Sequence, residues 1–190
     1  MISRDHWTSI SDVATAQSRI LPDSKFNPST DLVNVVVNMS IGNRVLDFGC
    51  GIGRNINSLQ GAGLEVEGYD LPNMISLCQN ITAPLFSDWD LVRNRTYDFI
   101  FACLVLQHIE IGHLYQYLHD FKQMSDRIVV FGRVSNDFSD RLVRDLMMES
   151  GWTIERIYCA FPIWEDSHED HEGMLWKKQN HDVYSLGPEC

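Results

Sequence analysis

The segment Val45-Leu-Asp-Phe-Gly-Cys-Gly-Ile-Gly-Arg-Asn55 constrains this chain more than any other. A short apolar run is stopped by three alternating glycines, Gly49, Gly51 and Gly53, and a helical pattern from Asn55 to Gln60 follows. Glycine enters left-handed backbone conformations without steric cost and lets a ligand come close to main-chain amides. Placed between a buried strand and a helix, such a turn offers those amides near the positive end of the helix. Of two common readings of a glycine turn, the dinucleotide one is weakened and the phosphate loop is excluded. A dinucleotide fingerprint needs glycine at its first, third and sixth positions, and counted from Gly49 the sixth is Arg54. A phosphate loop needs Gly-Lys-Ser/Thr, which does not follow.

The rest of the chain alternates strand and helix patterns. Residues 1–40 read as a helical cap, with Ile10, Val13, Ala14 and Gln17, then Leu32, Val35, Val36 and Met39, at helical spacing. Residues 41–190 read as one compact unit. Apolar runs predict strands at Arg44–Phe48, Leu64–Tyr69, Tyr97–Leu106, Arg127–Phe131, Trp152–Phe161 and His181–Leu186, with a brief edge strand at Ala83–Ser87. Tyr97–Leu106 is the most apolar and belongs at the centre of the sheet. Helices are expected from Pro72 (carrying Met74, Leu77, Cys78 and Ile81), at His113–Met124, and at Ser139–Ser150 with Ser139 as cap and Gly151 as stop. The stretch 162–180 reads as a long polar and aromatic connection. This is an α/β pattern: a doubly wound, mostly parallel sheet covered by helices on both faces. Ligands in such sheets bind beyond the carboxyl ends of the strands.

Composition narrows the partners. The chain has 190 residues, with 15 Lys and Arg against 26 Asp and Glu and a net charge of −11. Such a surface repels phosphate, so neither nucleic acid nor an anionic membrane is the expected partner. The longest strictly apolar run, Phe99–Leu106, is far too short to span a bilayer, and no basic-then-apolar leader opens the sequence. Five irregularly spaced cysteines without a CxxC pair predict reduced thiols in a cytoplasmic protein, and no cysteine zinc site. The run His168-Glu-Asp-His171-Glu172 lacks metal-ligand spacing and reads as a solvated loop, so no metal is expected.

At Asp47-Phe-Gly-Cys-Gly-Ile-Gly53 the chain resembles the class I, Rossmann-like S-adenosylmethionine-dependent methyltransferases, and the resemblance continues in order from residue 41 to about 155. It implies S-adenosyl-L-methionine as cofactor and an antiparallel hairpin closing the sheet. It also implies that Asp47, Gly49, Gly51 and Gly53 shape the cofactor turn. Asp70, at the end of the second strand, would accept both ribose hydroxyls, since two carboxylate oxygens match a vicinal diol. Leu71 would pack on the adenine face, and Asp88 and Trp89 would lie beside its amino group. Cys103 ends the fourth strand, next to the cofactor. The run Val105-Leu-Gln-His-Ile109 is similar to the family's fourth-strand motif, with His108 near the transferable methyl and imidazole suited to removing a proton near neutral pH.

Each residue has a plainer alternative. Asp70 would cap the helix opening at Pro72. Asp88 and Trp89 would be loop and core, Cys50 and Cys103 small packing residues, and His108 a turn residue that orients backbone. Phe161, Trp164 and Trp176 would form a lid over the pocket or a satellite core. No Asn/Asp-Pro-Pro-aromatic motif ends the fourth strand, where Ala102-Cys-Leu-Val stands instead, so methylation of a planar amide or adenine nitrogen is not indicated. The expected activity is methyl transfer to an oxygen or nitrogen of a small molecule. The alternatives are a protein or peptide side-chain methyltransferase and a cofactor-binding regulatory subunit without turnover.

Overall fold

A computed structural model describes residues 7–20, 30–39, 42–133, 138–161 and 171–179. Helices α1 (Val13–Ile20) and α2 (Thr30–Met39) precede β1 (Arg44–Phe48), α3 (Ile56–Gly61), β2 (Glu65–Tyr69), α4 (Pro72–Ser76) and β3 (Leu85–Phe86). Then follow β4 (Phe99–Cys103), α5 (Ile111–Met124), β5 (Arg127–Arg133), α6 (Phe138–Glu149), β6 (Trp152–Phe161) and β7 (His171–Lys178). The strands form one sheet in the order β3-β2-β1-β4-β5-β7-β6. The first five strands of that order pair in parallel. β7 runs antiparallel between β5 and β6. From β1 the chain steps outward to β2 and β3, then returns to place β4 on β1's other side. The carboxyl ends of β1 and β4 therefore flank the switch point where such sheets bind ligands.

Strand periodicity explains the two-sided cover. Val45, Phe99, Phe101, Val129, Phe131 and Leu175 face one layer, where Leu32, Val36 and Met39 of α2 and Ile56 and Leu59 of α3 cover them. Their neighbours Leu46, Phe48, Ile100, Ala102, Ile128 and Trp176 face the other, beneath Leu114, Leu118, Phe121 and Met124 of α5 and Met147 of α6. All five residues of β4 are buried, as its central position requires.

Four expectations need correction. The stretch read as a loop contains a strand, His171–Lys178, the last among the described residues. Its ends are charged, but Met174, Leu175 and Trp176 at its centre are buried, and strands on both sides satisfy its backbone. Trp176 is accordingly part of the main core and no lid. The segment 181–186, Trp164 and the side chains of Phe161 and of His168–Glu172 lie outside the described residues. Helix α4 stops at Ser76, leaving Leu77, Cys78 and Ile81 in the turn that follows, where Asn80 takes a φ of 56°. Helix α6 begins at Phe138, so Ser139 falls in its first turn and does not precede it. No helix among the described residues is long and apolar enough to cross a membrane.

Candidate cofactor site

At the carboxyl end of β1 the backbone turns through Gly49, Gly51 and Gly53, with φ of 75°, 60° and 83°. Side chains rarely adopt this region. A methyl at Gly49 would also collide with the side chain of Val105, and one at Gly53 would come within 2.8 Å of Ile81. The amides of Gly49 and Cys50 donate to the Tyr69 carbonyl at 2.8 and 3.1 Å, which ties the turn to the end of β2.

Asp70 sits at that end. One carboxylate oxygen accepts from the Gly51 amide and the other from the Leu71 amide, both at 2.6 Å. Leu71, not Asp70, holds the cap position of α4, and that position makes no side-chain cap bond. Asp70 is therefore a brace between the glycine turn and β2. Each of its oxygens keeps a lone pair for a further donor. Burial pushes its pKa up to about 6, against the pull of the two amides.

Asp47 differs. Its side chain is 1% exposed, and neither oxygen accepts a hydrogen bond from the described residues. Burial, and then the charge of Asp70, push its pKa up to about 8, while the Arg54 guanidinium acts in the opposite direction. Burial lowers Arg54 in turn to about 10, opposed by Cys103 and Asp47, so the guanidinium stays charged at neutral pH. A buried carboxylate without donors is costly, and a cationic donor would relieve it. A group carrying an ammonium and a carboxylate fits the pair: ammonium toward Asp47, carboxylate toward Arg54. Sequence reading passed over Arg54 because it registered only as a missing glycine. The available signal was a charged residue directly behind an apolar glycine turn.

β4 ends in a second strained turn. Leu104, a non-glycine residue, has a φ of 54°, while its amide still donates to Phe131 on β5 at 3.0 Å. The left-handed residue turns the chain into a 3₁₀ segment, Leu106–His108, sets Val105 against Gly49 and buries Leu106 in the α5 layer. The His108 amide donates to the Val105 carbonyl at 2.9 Å, and its ring lies 5.3 Å from that of Trp7. Cys103, the last residue of β4, is buried, and burial raises its thiol to about 12. The Cys50 and Cys78 thiols both point at the Gly51 carbonyl, at 3.9 and 3.6 Å. Burial raises both, Cys78 to about 11. These thiols are packing groups and not nucleophiles.

Asp88 and Trp89 follow β3. Asp88 is exposed and caps a short 3₁₀ turn by accepting from the Asp90 amide at 3.0 Å. The Trp89 indole donates to Asp120 of α5 at 2.7 Å, and its ring meets those of Tyr69 and Tyr117 edge-on, both at 4.9 Å.

The amino-terminal segment packs on the glycine turn. Ile10 and Ala16 are buried with Ile52 of the glycine turn and Met74 of α4, and Trp7, Val13, Leu71 and Leu77 pack around them. Residues 7–20 thus touch the glycine turn and the end of β2, and through Trp7 they reach His108 beyond β4.

The profile of a methyltransferase domain matches residues 16–180. The chain belongs to this methyltransferase family. Its fold recurs in solved structures of low sequence identity. Magnesium protoporphyrin IX methyltransferase from Synechocystis PCC 6803, solved with S-adenosylmethionine bound, is 18% identical, with a TM-score of 0.63 over 93% of this chain and 95% of that one. A TehB-like S-adenosylmethionine-dependent methyltransferase from Corynebacterium glutamicum is 17% identical, with a TM-score of 0.61 over 86% and 94%. An S-adenosylmethionine-dependent methyltransferase from Clostridium acetobutylicum is 13% identical, with a TM-score of 0.61 over 87% and 97%. No curated protein sequence matches the chain. The chain is therefore a methyltransferase of the class I, Rossmann-like fold, with the antiparallel hairpin that the sequence resemblance implied.

Proposed function

We propose that this methyltransferase binds S-adenosyl-L-methionine across the carboxyl ends of β1, β2 and β4, and methylates an oxygen or nitrogen of a small molecule. The observation that carries the reading is Asp47, a buried carboxylate without donors, beside the charged guanidinium of Arg54. Together they hold the ammonium and carboxylate of the cofactor's amino-acid end. Asp70 accepts the ribose hydroxyls on its remaining lone pairs, and Leu71 packs against the base. Asp88, exposed at its turn, receives the adenine amino group, and Trp89 supports that turn. Gly49, Gly51 and Gly53 give the turn the left-handed course that brings its amides to the cofactor.

The bound cofactor supplies a methyl on a positively charged sulfur, which is already activated for displacement. The chain's own task is to align an acceptor with that methyl and exclude water. Trp7 and Ile10 close the crevice from above. His108 accepts the proton of an acceptor hydroxyl or amine as it attacks, which requires its ring neutral beforehand. A covered crevice supports a small acceptor over an extended peptide, and the acidic surface supports a neutral or cationic one over a polyanion. The neighbour named for magnesium protoporphyrin IX also has a small-molecule acceptor.

The test is methyl-labelled S-adenosylmethionine added to the purified protein with an extract of the source cells, label being counted in metabolite, protein and nucleic-acid fractions. Label in metabolites is expected. Label in protein alone overturns the small-molecule acceptor, and binding without any transfer supports a regulatory subunit. His108→Asn should lower transfer by about a hundredfold with cofactor affinity unchanged; a matching loss of affinity would make His108 structural.

A further inference from the structure

Asn73 lies in the first turn of α4, three residues beyond Asp70, and its carboxamide nitrogen donates two hydrogen bonds to the amino-terminal segment. One goes to the Trp7 carbonyl at 2.8 Å and the other to the Ile10 carbonyl at 2.9 Å, across 66 and 63 residues of sequence. The Ile10 amide itself donates to the Trp7 carbonyl at 3.3 Å, so this short turn is fastened at its first and last carbonyls to a single side chain. An asparagine has two N–H donors on one nitrogen, and both are used here. From this turn hang two features. Trp7 lies with its ring against His108, and Ile10 is buried against Ile52 of the glycine turn and Met74. The apolar contacts are non-directional and let the segment slide, whereas the two hydrogen bonds fix its register.

We propose that Asn73 is a positioning residue for methyl transfer: it latches the amino-terminal roof in the one register that seats Trp7 against His108 and closes the crevice over the cofactor. Asn73 acts through the roof. It sits on the segment that carries Asp70 and Leu71, so the ribose-side wall and the roof move as one body while the latch holds. Opening the latch exposes the crevice, speeds cofactor exchange and frees the His108 ring from its neighbour. The inference rests on the cofactor reading given above.

Asn73→Leu keeps the size and removes both donors, and Asn73→Asp turns a carboxylate toward two carbonyl oxygens. The first readout is amide hydrogen exchange of residues 7–20 in cofactor-free protein. The second is the dissociation rate of S-adenosylhomocysteine, followed by stopped-flow tryptophan fluorescence. The leucine variant should lose about tenfold in protection over 7–20 and release the ligand about tenfold faster, the aspartate variant losing more. Exchange in β4 and β5 should not change. A merely structural residue would instead lower protection throughout the sheet. Unchanged exchange over 7–20 together with an unchanged dissociation rate overturns the proposal. Should the leucine variant fail to fold, Asn73→Ser is read by the same two criteria. Wild-type protein that binds no S-adenosylhomocysteine would overturn the cofactor reading, and the exchange measurement would still decide on the latch.

Discussion

Two acidic residues one step apart in the β1–β2 register have opposite surroundings. Glu67 of β2 pairs with Leu46, and the next pair joins Asp47 to Gly68. Glu67 is fully engaged: Arg95 donates to its two oxygens at 3.0 and 3.1 Å, the Tyr97 hydroxyl donates at 2.8 Å, and Arg44 lies at 3.8 Å. Asp47, more deeply buried, accepts nothing from the described residues. A chain that can enclose one carboxylate in donors and leaves its neighbour bare is not short of donors. The bare group marks where a partner from outside is received, and the same corner holds the three left-handed glycines and the left-handed Leu104. Strain and polar dissatisfaction gather at functional sites because the surrounding packing tolerates them there.

The largest expected effect is at the glycine turn. Gly49→Ala puts a methyl into the Val105 side chain on a left-handed backbone that itself costs about 1–2 kcal/mol for an L-residue. Cofactor affinity should fall more than about a hundredfold, read by calorimetry. Binding within a few-fold of wild type would show that the turn does not shape the site.

Asp47→Asn probes the bare carboxylate and should move stability and binding in opposite directions. The folded-state pKa values of Asp47 and Asp70, about 8 and about 6, both lie above their ordinary value of 3.8. The folded cofactor-free protein therefore holds protons that the unfolded chain releases, and its stability falls as pH rises from about 4 to about 8. Asn at position 47 should remove the part of that fall between pH 6 and 8, seen as a urea midpoint that changes less over this range. Cofactor affinity should drop about ten- to a hundredfold as a charge-assisted contact is lost. A variant with the wild-type pH dependence would place the burden elsewhere.

Glu67→Gln sharpens the contrast from the other side. Losing the charge between Arg95 and Arg44 should lower stability by about 1–3 kcal/mol in chemical denaturation, discounted toward the lower figure because both arginines are partly exposed. Cofactor affinity should not change. If it does, the two carboxylates are not separate in role.

How far this was legible beforehand follows from the kind of information each feature needs. Strand β4, the alternating faces of β1 and β5, and the glycine turn are local patterns, and period and composition locate them. β7 was not legible, because His171, Glu172, Lys177 and Lys178 at its ends outweigh Met174-Leu-Trp176 until β5 and β6 are known to pair with it on both sides. The position of Asp70 after β2 is a local pattern, whereas its freedom from capping is visible only through the amides of Gly51 and Leu71. The indole of Trp89 is held by Asp120, 31 residues away, a contact that no local pattern announces. Asn73 depends on contacts with a segment more than sixty residues away and has no local signature.

The smallest effect is expected at Leu104. Glycine there relieves the left-handed backbone by about 1–2 kcal/mol. The loss of a partly buried side chain and the added freedom of the unfolded chain offset most of that. Thermal unfolding should shift by no more than the equivalent of about 1 kcal/mol. Methyl transfer should slow, because the turn that carries Val105 and His108 is no longer held to one path. Full activity would make the left-handed residue incidental.

The most direct test of the account is a calorimetric titration of S-adenosylmethionine into wild-type protein and Asp70→Ala, with circular dichroism to show that both are folded. One-to-one binding by the wild type and a loss of about tenfold or more in the variant is the predicted result. Equal affinity in the two proteins would contradict it, and with it the placement of the cofactor at the carboxyl ends of β1 and β2.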